Sequence, residues 1–237
     1  NKKIICNKKT FLTSMHEDIS KAPWKDWEVD MIIDCSGVLE NTVRSKNIIN
    51  HKIAKKVIFT NSPDNVDFTM VLGVNEKKYN PKKHHLISSS ICDATAIAPV
   101  SKIIDEKYKI KLGYVTTLHP WLSYQNLMDG PSSSWSVPGE VYHHYALGRA
   151  AVGNIIPKPT SAIQAVSKVV PEIDINKIGS FSHRKPTQIV GSADITFFVE
   201  KQTSKSELLF KLSEFQSSQN FPILKITNEP LVSIDYI

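Results

Sequence analysis

The stretch VDMIIDCSG, Val29 to Gly37, limits the fold more than any other. It is a nearly continuous apolar run that ends in a small residue and a glycine. Such a run suits a strand buried on both faces, as in a parallel sheet, rather than one wetted on alternate residues. Its surroundings agree. A helical stretch is expected from Asn41 to Ala54. KKVIFT, Lys55 to Thr60, reads as a second strand, FTMVLGVN, Phe68 to Asn75, as a third, and HHLISSS, from His84, as a fourth. Strand, helix, strand in this order makes a βαβ unit, with ligands expected at the carboxyl ends of the strands. Ahead of it, KIICNKKTFLTS reads as a short hairpin followed by a polar loop to Pro23-Trp24.

The second half has a different rhythm. A helix opens near SSSICDATAIAPVSKII, with Ile97, Val100, Ile103 and Ile104 on one face. Pro99 is awkward inside it and predicts a kink or a late start. KIKLGYVTTLHPW, Lys109 to Trp121, reads as a strand with a polar end. Pro131 to Gly153 reads as a long irregular loop, a length more often functional than idle. Thr160 to Val170 predicts a helix, Ile178 to Glu200 one or two strands, Ser204 to Phe215 a helix, and Pro222 to Asp235 two short strands. Strands dominate, so this half is expected to be an α+β unit.

Composition narrows the function classes. The 237 residues are 41% hydrophobic and 22% charged, enough for one large domain or two smaller ones. The net charge of +6 comes from scattered pairs such as Lys8-Lys9, Lys55-Lys56 and Lys82-Lys83. That pattern fits a solvated surface or an acidic, phosphorylated ligand. No nucleic-acid motif accompanies it. Cys6, Cys35 and Cys92 are too few and too irregular for a disulfide framework or structural zinc. His143-His144 lacks further ligands at metal spacing, so no metal is expected. No apolar run reaches the roughly 18 residues of a membrane helix. A cytoplasmic protein is the simplest expectation. The first residue is Asn, so the true N-terminus is expected elsewhere.

Cys92 is the first candidate for chemistry. A helix N-terminus stabilises an anion and so lowers a thiol pKa, while the adjoining Asp93 raises it again. Taken alone, such a cysteine is more often inert than catalytic. His119 ends the strand that follows the helix. Imidazole is what a thiol needs for activation and proton shuttling. Arg184, in SFSHRKPT, is an arginine in a strand-like run, suited to clamp phosphate or carboxylate, although a surface ion pair is the plainer role.

These residues sit in motifs that resemble the glyceraldehyde-3-phosphate dehydrogenase family. Cys92 to Pro99 is similar to the family's A-S-C-T-T-N-C-L-A-P. TTLHPWLSYQNLMDGP is similar to T-T-x-H-x-Y-T-x-T-Q-x-x-x-D-G-P, NIIPKPTSAIQAVSKVVPE to N-I-I-P-x-x-T-G-A-A-K-A-V-x-K-V-x-P-E, and HRKPT to F-R-V-P-T. VDMIIDCSGV, KKVIFT and VLGVN resemble the cofactor half, and EPLVSIDY a late strand. The motifs keep the family's order along almost the whole chain.

The resemblance implies an α/β protein. An incomplete Rossmann-type dinucleotide-binding domain, residues 1–91, would be followed by an α+β catalytic domain with a mixed or antiparallel sheet, residues 92–237. It implies a glycolytic oxidoreductase using NAD or NADP on an anionic, phosphorylated aldehyde, assembled as a homotetramer. Cys92 would be the nucleophile and His119 its acid–base partner. Thr160, Ser161 and Arg184 would bind substrate or phosphate. Ser36, Gly37, Thr60 and Asn61 would line the cofactor cleft.

The chain also departs from the pattern. None of its nine glycines forms the G-x-G-x-x-G turn, so it is expected to begin after that turn, and to stop before the family's W-Y-D-N-E-x-G-Y. Ile91 and Asp93 stand where hydroxyl residues flank the family's cysteine. Leu122 and Tyr124 replace two threonines, and Ser161 a glycine. A carboxylate a few ångströms from phosphate costs on the order of a kcal/mol or more at an effective dielectric of about 20. Lys158 is expected to pair with Asp93. The segment from Ser132 to Gly153, with Trp135, Tyr142 and Tyr145, is longer than the family's. Two alternatives follow: a binding or regulatory paralogue that keeps the fold without turnover, or a separate chain that supplies the cofactor half.

Overall fold

The computed structural model describes residues 2–122, 125–130, 133–137, 140–143 and 145–237, with side chains for all of these except 2, 133–137, 140–143, 145 and 147. Tyr124 and His144, and the side chains of Trp135, Tyr142 and Tyr145, lie outside what is described. The chain divides into two compact units, Asn1–Thr69 with Tyr79–Ser90, and Met70–Lys78 with Ile91–Ile237. Met70–Lys78 thus groups with the second unit although it precedes residue 91, because Val71 and Val74 pack into the second unit's core.

The first unit opens on a hairpin, β1 (Lys2–Cys6) against β2 (Lys9–Thr13), with Asn7 and Lys8 at positive φ in the turn. A four-stranded parallel sheet follows in the order β3 (Met31–Asp34), β4 (Lys56–Phe59), β6 (Leu86–Ser88), β5 (Phe68–Thr69). Helix α1 (Asn41–Asn50) joins β3 to β4 and lays Ile48 against Ile32, Val57, Phe59 and Leu86.

Three expectations change here. Strand β3 is not buried on both faces: Ile32 is 3% exposed, but Met31 and Ile33 on the other face are 52% and 61% exposed. The helix ends at Asn50, where Lys52 takes a positive φ that stops it. The expected strand Phe68–Asn75 keeps only two strand residues. The chain then turns at Val71–Asn75, with Val74 N donating to Val71 O and Val71 N to Asn75 Oδ1.

The second unit is built on a mixed sheet. Its order is β10 (Ile156–Lys158), β11 (Ile178–Arg184), β7 (Ile110–His119), β12 (Ser192–Val199). Strands β11 and β7 run parallel, and the outer pairs are antiparallel. Helices α2 (Asp93–Tyr108) and α3 (Ala162–Val169) cover one face, burying Ile97, Val115, Ile163 and Val166 in a common core. Helix α4 (Lys205–Ser218) is capped by Ser204, whose hydroxyl accepts from Glu207 N. Pro99 does not delay the start: it sits inside α2. Thr95, whose carbonyl thereby lacks its helical partner, is exposed.

Two loop expectations are corrected. The stretch Pro131–Gly153 holds an antiparallel hairpin, β8 (Ser133–Val137) with β9 (Glu140–His143), and a short 3-10 turn at Tyr145–Gly148. Its base is closed by Gly130 N to Gly148 O, 2.9 Å, and by Asp129 with Arg149, 2.9 Å. The two strands expected over Pro222–Asp235 do not form. That segment is irregular before a 3-10 turn at Ser233–Tyr236, and Ile226 N is satisfied instead by the Gln216 side chain of α4. Most apolar side chains there, including Val232 and Ile234, are exposed.

Candidate active site

Parallel pairing of β7 and β11 sets the geometry of the catalytic candidates. Their register places Arg184 beside His119 at the carboxyl ends of two neighbouring strands. Beneath them, Thr117 Oγ1 donates to Ser182 Oγ at 2.9 Å, both fully buried. That bond locks the register two residues below the ends. Arg184 itself is buried, at 7% exposure. Lys158, one residue past the β10 partner of His183, lies half-buried beside the same strand.

Cys92 enters from the N-terminus of α2. It occupies the first central position of a turn closed by Ala94 N to Ile91 O, 3.1 Å. Its backbone has φ 50 and ψ −128, the left-handed setting of a II′ turn that glycine usually fills. Ile91, where the family motif has a serine, is buried in the core with Ala94 and Ile97, so that position is spent on packing. The thiol is solvent-accessible. Protein closes round its other side, and this partial burial pushes its pKa above the ordinary value. Asp93 pushes it further the same way, and Arg184 and Lys158 pull it back. The helix N-terminus therefore does not give an activated thiolate at rest, contrary to the expectation from position alone.

The expected ion pair of Asp93 with Lys158 does not form. Asp93 Oδ2 lies 2.5 Å from His119 Nε2 instead, with both side chains mostly buried. Lys158 acts on Asp93 and Cys92 only at longer range. Its own pKa is lowered, first by burial and then by Arg184. Among the described residues no hydrogen bond joins the Cys92 sulfur to His119. The imidazole is tied to the residue next to Cys92. Position alone pointed to Asp93 as a disturbance of phosphate binding. Its partnership with His119 had no local signal, because the two meet only through the α2–β7 arrangement.

Thr160 and Ser161 stand at the N-terminus of α3. Thr160 Oγ1 accepts from Ala162 N at 3.1 Å, and Ser161 makes no side-chain cap bond. Neither is hydrogen-bonded to Cys92, Asp93 or His119 among the described residues.

The cofactor candidates all lie in the first unit. Ser36 and Gly37 follow β3, and Thr60 and Asn61 follow β4, at the carboxyl ends of adjacent parallel strands. Asp34 organises this end: its Oδ1 accepts from Ser36 N at 2.9 Å and its Oδ2 from Asn41 Nδ2 at 3.0 Å. Thr60 N donates to Asp34 O at 3.0 Å. Gly37 has φ 75, a backbone setting that glycine adopts without strain. Asn61 Oδ1 is buried without a hydrogen-bond partner, an acceptor suited to a ligand's hydroxyl or amide. A cavity of about 230 Å³ adjoins Asp34 and Asn41 and is lined also by His16, Glu17 and Trp24. None of Ser36, Gly37, Thr60 and Asn61 lines that cavity. Among the described residues no group of three His, Cys, Asp or Glu side chains is placed to hold a metal ion. No helix there is long and apolar enough to cross a membrane.

Comparison with known proteins converges on one family. Residues 91–237 match the model for the glyceraldehyde 3-phosphate dehydrogenase C-terminal domain. The chain is 35% identical over 225 residues to the cytosolic glyceraldehyde-3-phosphate dehydrogenase of Chlamydomonas reinhardtii, covering 95% of this chain and 62% of that protein. It is 32% identical over 233 residues to glyceraldehyde-3-phosphate dehydrogenase 1 of Bacillus subtilis, covering 98% of this chain and 66% of that protein. The chain thus spans somewhat less than two thirds of the length of these curated relatives.

Proposed function

The chain belongs to the glyceraldehyde 3-phosphate dehydrogenase family, and on that premise we propose that it serves a nicotinamide-dependent oxidation of an anionic, phosphorylated aldehyde. The observation that carries this is the convergence of an accessible Cys92, the Asp93–His119 pair and the buried Arg184 at one end of the second sheet. In this reading Cys92 Sγ attacks the aldehyde carbon and its proton passes to the Asp93–His119 pair, giving a thiohemiacetal on sulfur. Arg184 and Lys158 hold the substrate's anionic group, with hydroxyls from Thr160 and Ser161 as further donors. Ser36, Gly37, Thr60 and Asn61 would hold NAD or NADP, which would supply a hydride acceptor.

The raised thiol has a consequence for rate. Burial and Asp93 hold the Cys92 thiol above its ordinary pKa, so capture of the aldehyde leans on a partner that takes the thiol's proton. This feature is also what favours the second reading, a binding paralogue with little turnover. We further propose a homo-oligomer in the cytoplasm. Leu112, Tyr114 and Phe198 point out from the uncovered face of the second sheet, each more than half exposed, and suit burial by a second copy.

The deciding experiment mixes the protein with glyceraldehyde 3-phosphate and NAD or NADP and follows absorbance of the reduced cofactor. The expected result is cofactor reduction that Cys92→Ser abolishes. Calorimetric binding of the cofactor with no reduction, together with a Cys92 inert to alkylation, selects the paralogue instead.

A further inference from the structure

We propose that the Asp93–His119 pair commits the acyl-enzyme on Cys92 to hydrolysis, delivering water and turning away inorganic phosphate, so that the product is a carboxylic acid and not an acyl phosphate. This rests on the reading of Cys92 as the nucleophile.

The argument starts from charge. A thioester on Cys92 must be cleaved by a nucleophile that approaches the carbonyl carbon next to residue 93. Phosphate at neutral pH carries between one and two negative charges, and water none. Asp93 places a carboxylate on the residue adjoining the sulfur. Of the charged groups acting on the sulfur, Asp93 exerts the largest effect, ahead of Arg184 and Lys158. Arg184 belongs to β11 and Lys158 to β10, and both serve the substrate's own anionic group. Ile91, on the other side of Cys92, is packed in the core and offers no hydroxyl to an incoming phosphate. Both immediate neighbours of the cysteine therefore disfavour the anion.

The same carboxylate equips the site for water. Asp93 Oδ2 and His119 Nε2 are 2.5 Å apart and mostly shielded from solvent. A carboxylate fixed to imidazole holds its tautomer and strengthens it as a base, the arrangement hydrolases use to activate water. The step balances as follows. Water gives one proton to the Asp93–His119 pair as its oxygen bonds to the thioester carbon. The C–S bond breaks, its electrons go to the Cys92 sulfur, and the pair returns the proton to that sulfur. No oxidant or further reactant enters. Asp93 acts here as a positioning residue, through His119.

The test needs no nicotinamide. p-Nitrophenyl acetate, an activated ester, acetylates a nucleophilic thiol, and mass spectrometry of the intact protein and its peptides follows acetyl-Cys92 as it decays. Decay is timed with and without inorganic phosphate at constant ionic strength and across pH. The expected result is a decay rate that phosphate leaves within about twofold, with acetate as the product. Asp93→Asn is expected to slow decay by about tenfold or more and to shift its pH profile. Asp93→Thr is expected to make decay accelerate with phosphate and release acetyl phosphate. Circular dichroism spectra and melting curves like those of the unmodified protein show that the variants fold. Phosphate-accelerated decay in the unmodified protein, or an Asp93→Asn rate and pH profile equal to it, overturns the inference while leaving Cys92 as nucleophile. Failure of Cys92 to acetylate at all overturns both.

Discussion

At the scale of single residues, the thiol of Cys92 is governed by competing neighbours. Burial and Asp93 raise its pKa, while Arg184 and Lys158 lower it. Asp93→Asn removes one raising influence, so the midpoint of the pH–alkylation profile moves to lower pH. At a fixed pH below that midpoint the alkylation rate rises by about threefold, because the gain in thiolate outweighs its lower intrinsic nucleophilicity. Lys158→Met removes a lowering influence and moves the midpoint to higher pH. Iodoacetamide kinetics from pH 6 to about 10 read both shifts, and the two opposite signs are the check. At this scale the sequence marked out the candidate residues. Cys92, His119 and Arg184 are legible as motif positions. The partner of His119 is not, since Asp93 lies 26 residues away and meets it only after α2 and β7 have formed.

The element that positions the site is the β7–β11 pair, and its buried hydroxyl bond is the test of how. Ser182→Ala leaves the Thr117 hydroxyl buried without its partner and is expected to lower unfolding free energy by about 1–3 kcal/mol. Thr117→Val combined with Ser182→Ala removes both polar groups and is expected to cost less than the single change, a coupling that urea denaturation of the four proteins measures. Periodicity predicted β4, β7, α2, α3 and α4 because each has one decisively apolar stripe or run. It failed over Pro222–Asp235, where most apolar residues are exposed and no strand pairs, and over Phe68–Asn75, where Asn75 caps a turn through its side chain. Hydrophobic pattern states that a residue is covered but not by what, and strands need a pairing edge as well as cover.

Across the whole molecule, the charge of +6 and the exposed apolar side chains of the second sheet bear on solution behaviour. If the outer face of the second sheet is covered by another copy, Leu112→Lys with Phe198→Lys puts two cations on that face and is expected to leave a monomer by sedimentation velocity, with circular dichroism unchanged. Gly179 belongs to the same face: a Cβ there would lie 2.6 Å from the Tyr114 ring, so the tyrosine lies flat across the strand and keeps the face smooth. The two-unit organisation was visible from the change between βαβ rhythm and strand-dominated sequence. The transfer of Met70–Lys78 to the second unit was not, because it depends on two valines, Val71 and Val74, finding one core and not the other.

The left-handed bend at Cys92 makes heat a reporter on this protein's chemistry. A side chain forced into that conformation holds about 1–3 kcal/mol of strain that the surrounding fold must offset. Cys92→Gly removes the sulfur and the strain together, and Cys92→Ala removes only the sulfur. The glycine variant is therefore expected to melt at a higher temperature than the alanine variant by calorimetry, reversing the usual order for a position at a helix start. A side chain at this bend is thus kept at the expense of thermal tolerance, and its single replacement by glycine makes a sturdier fold.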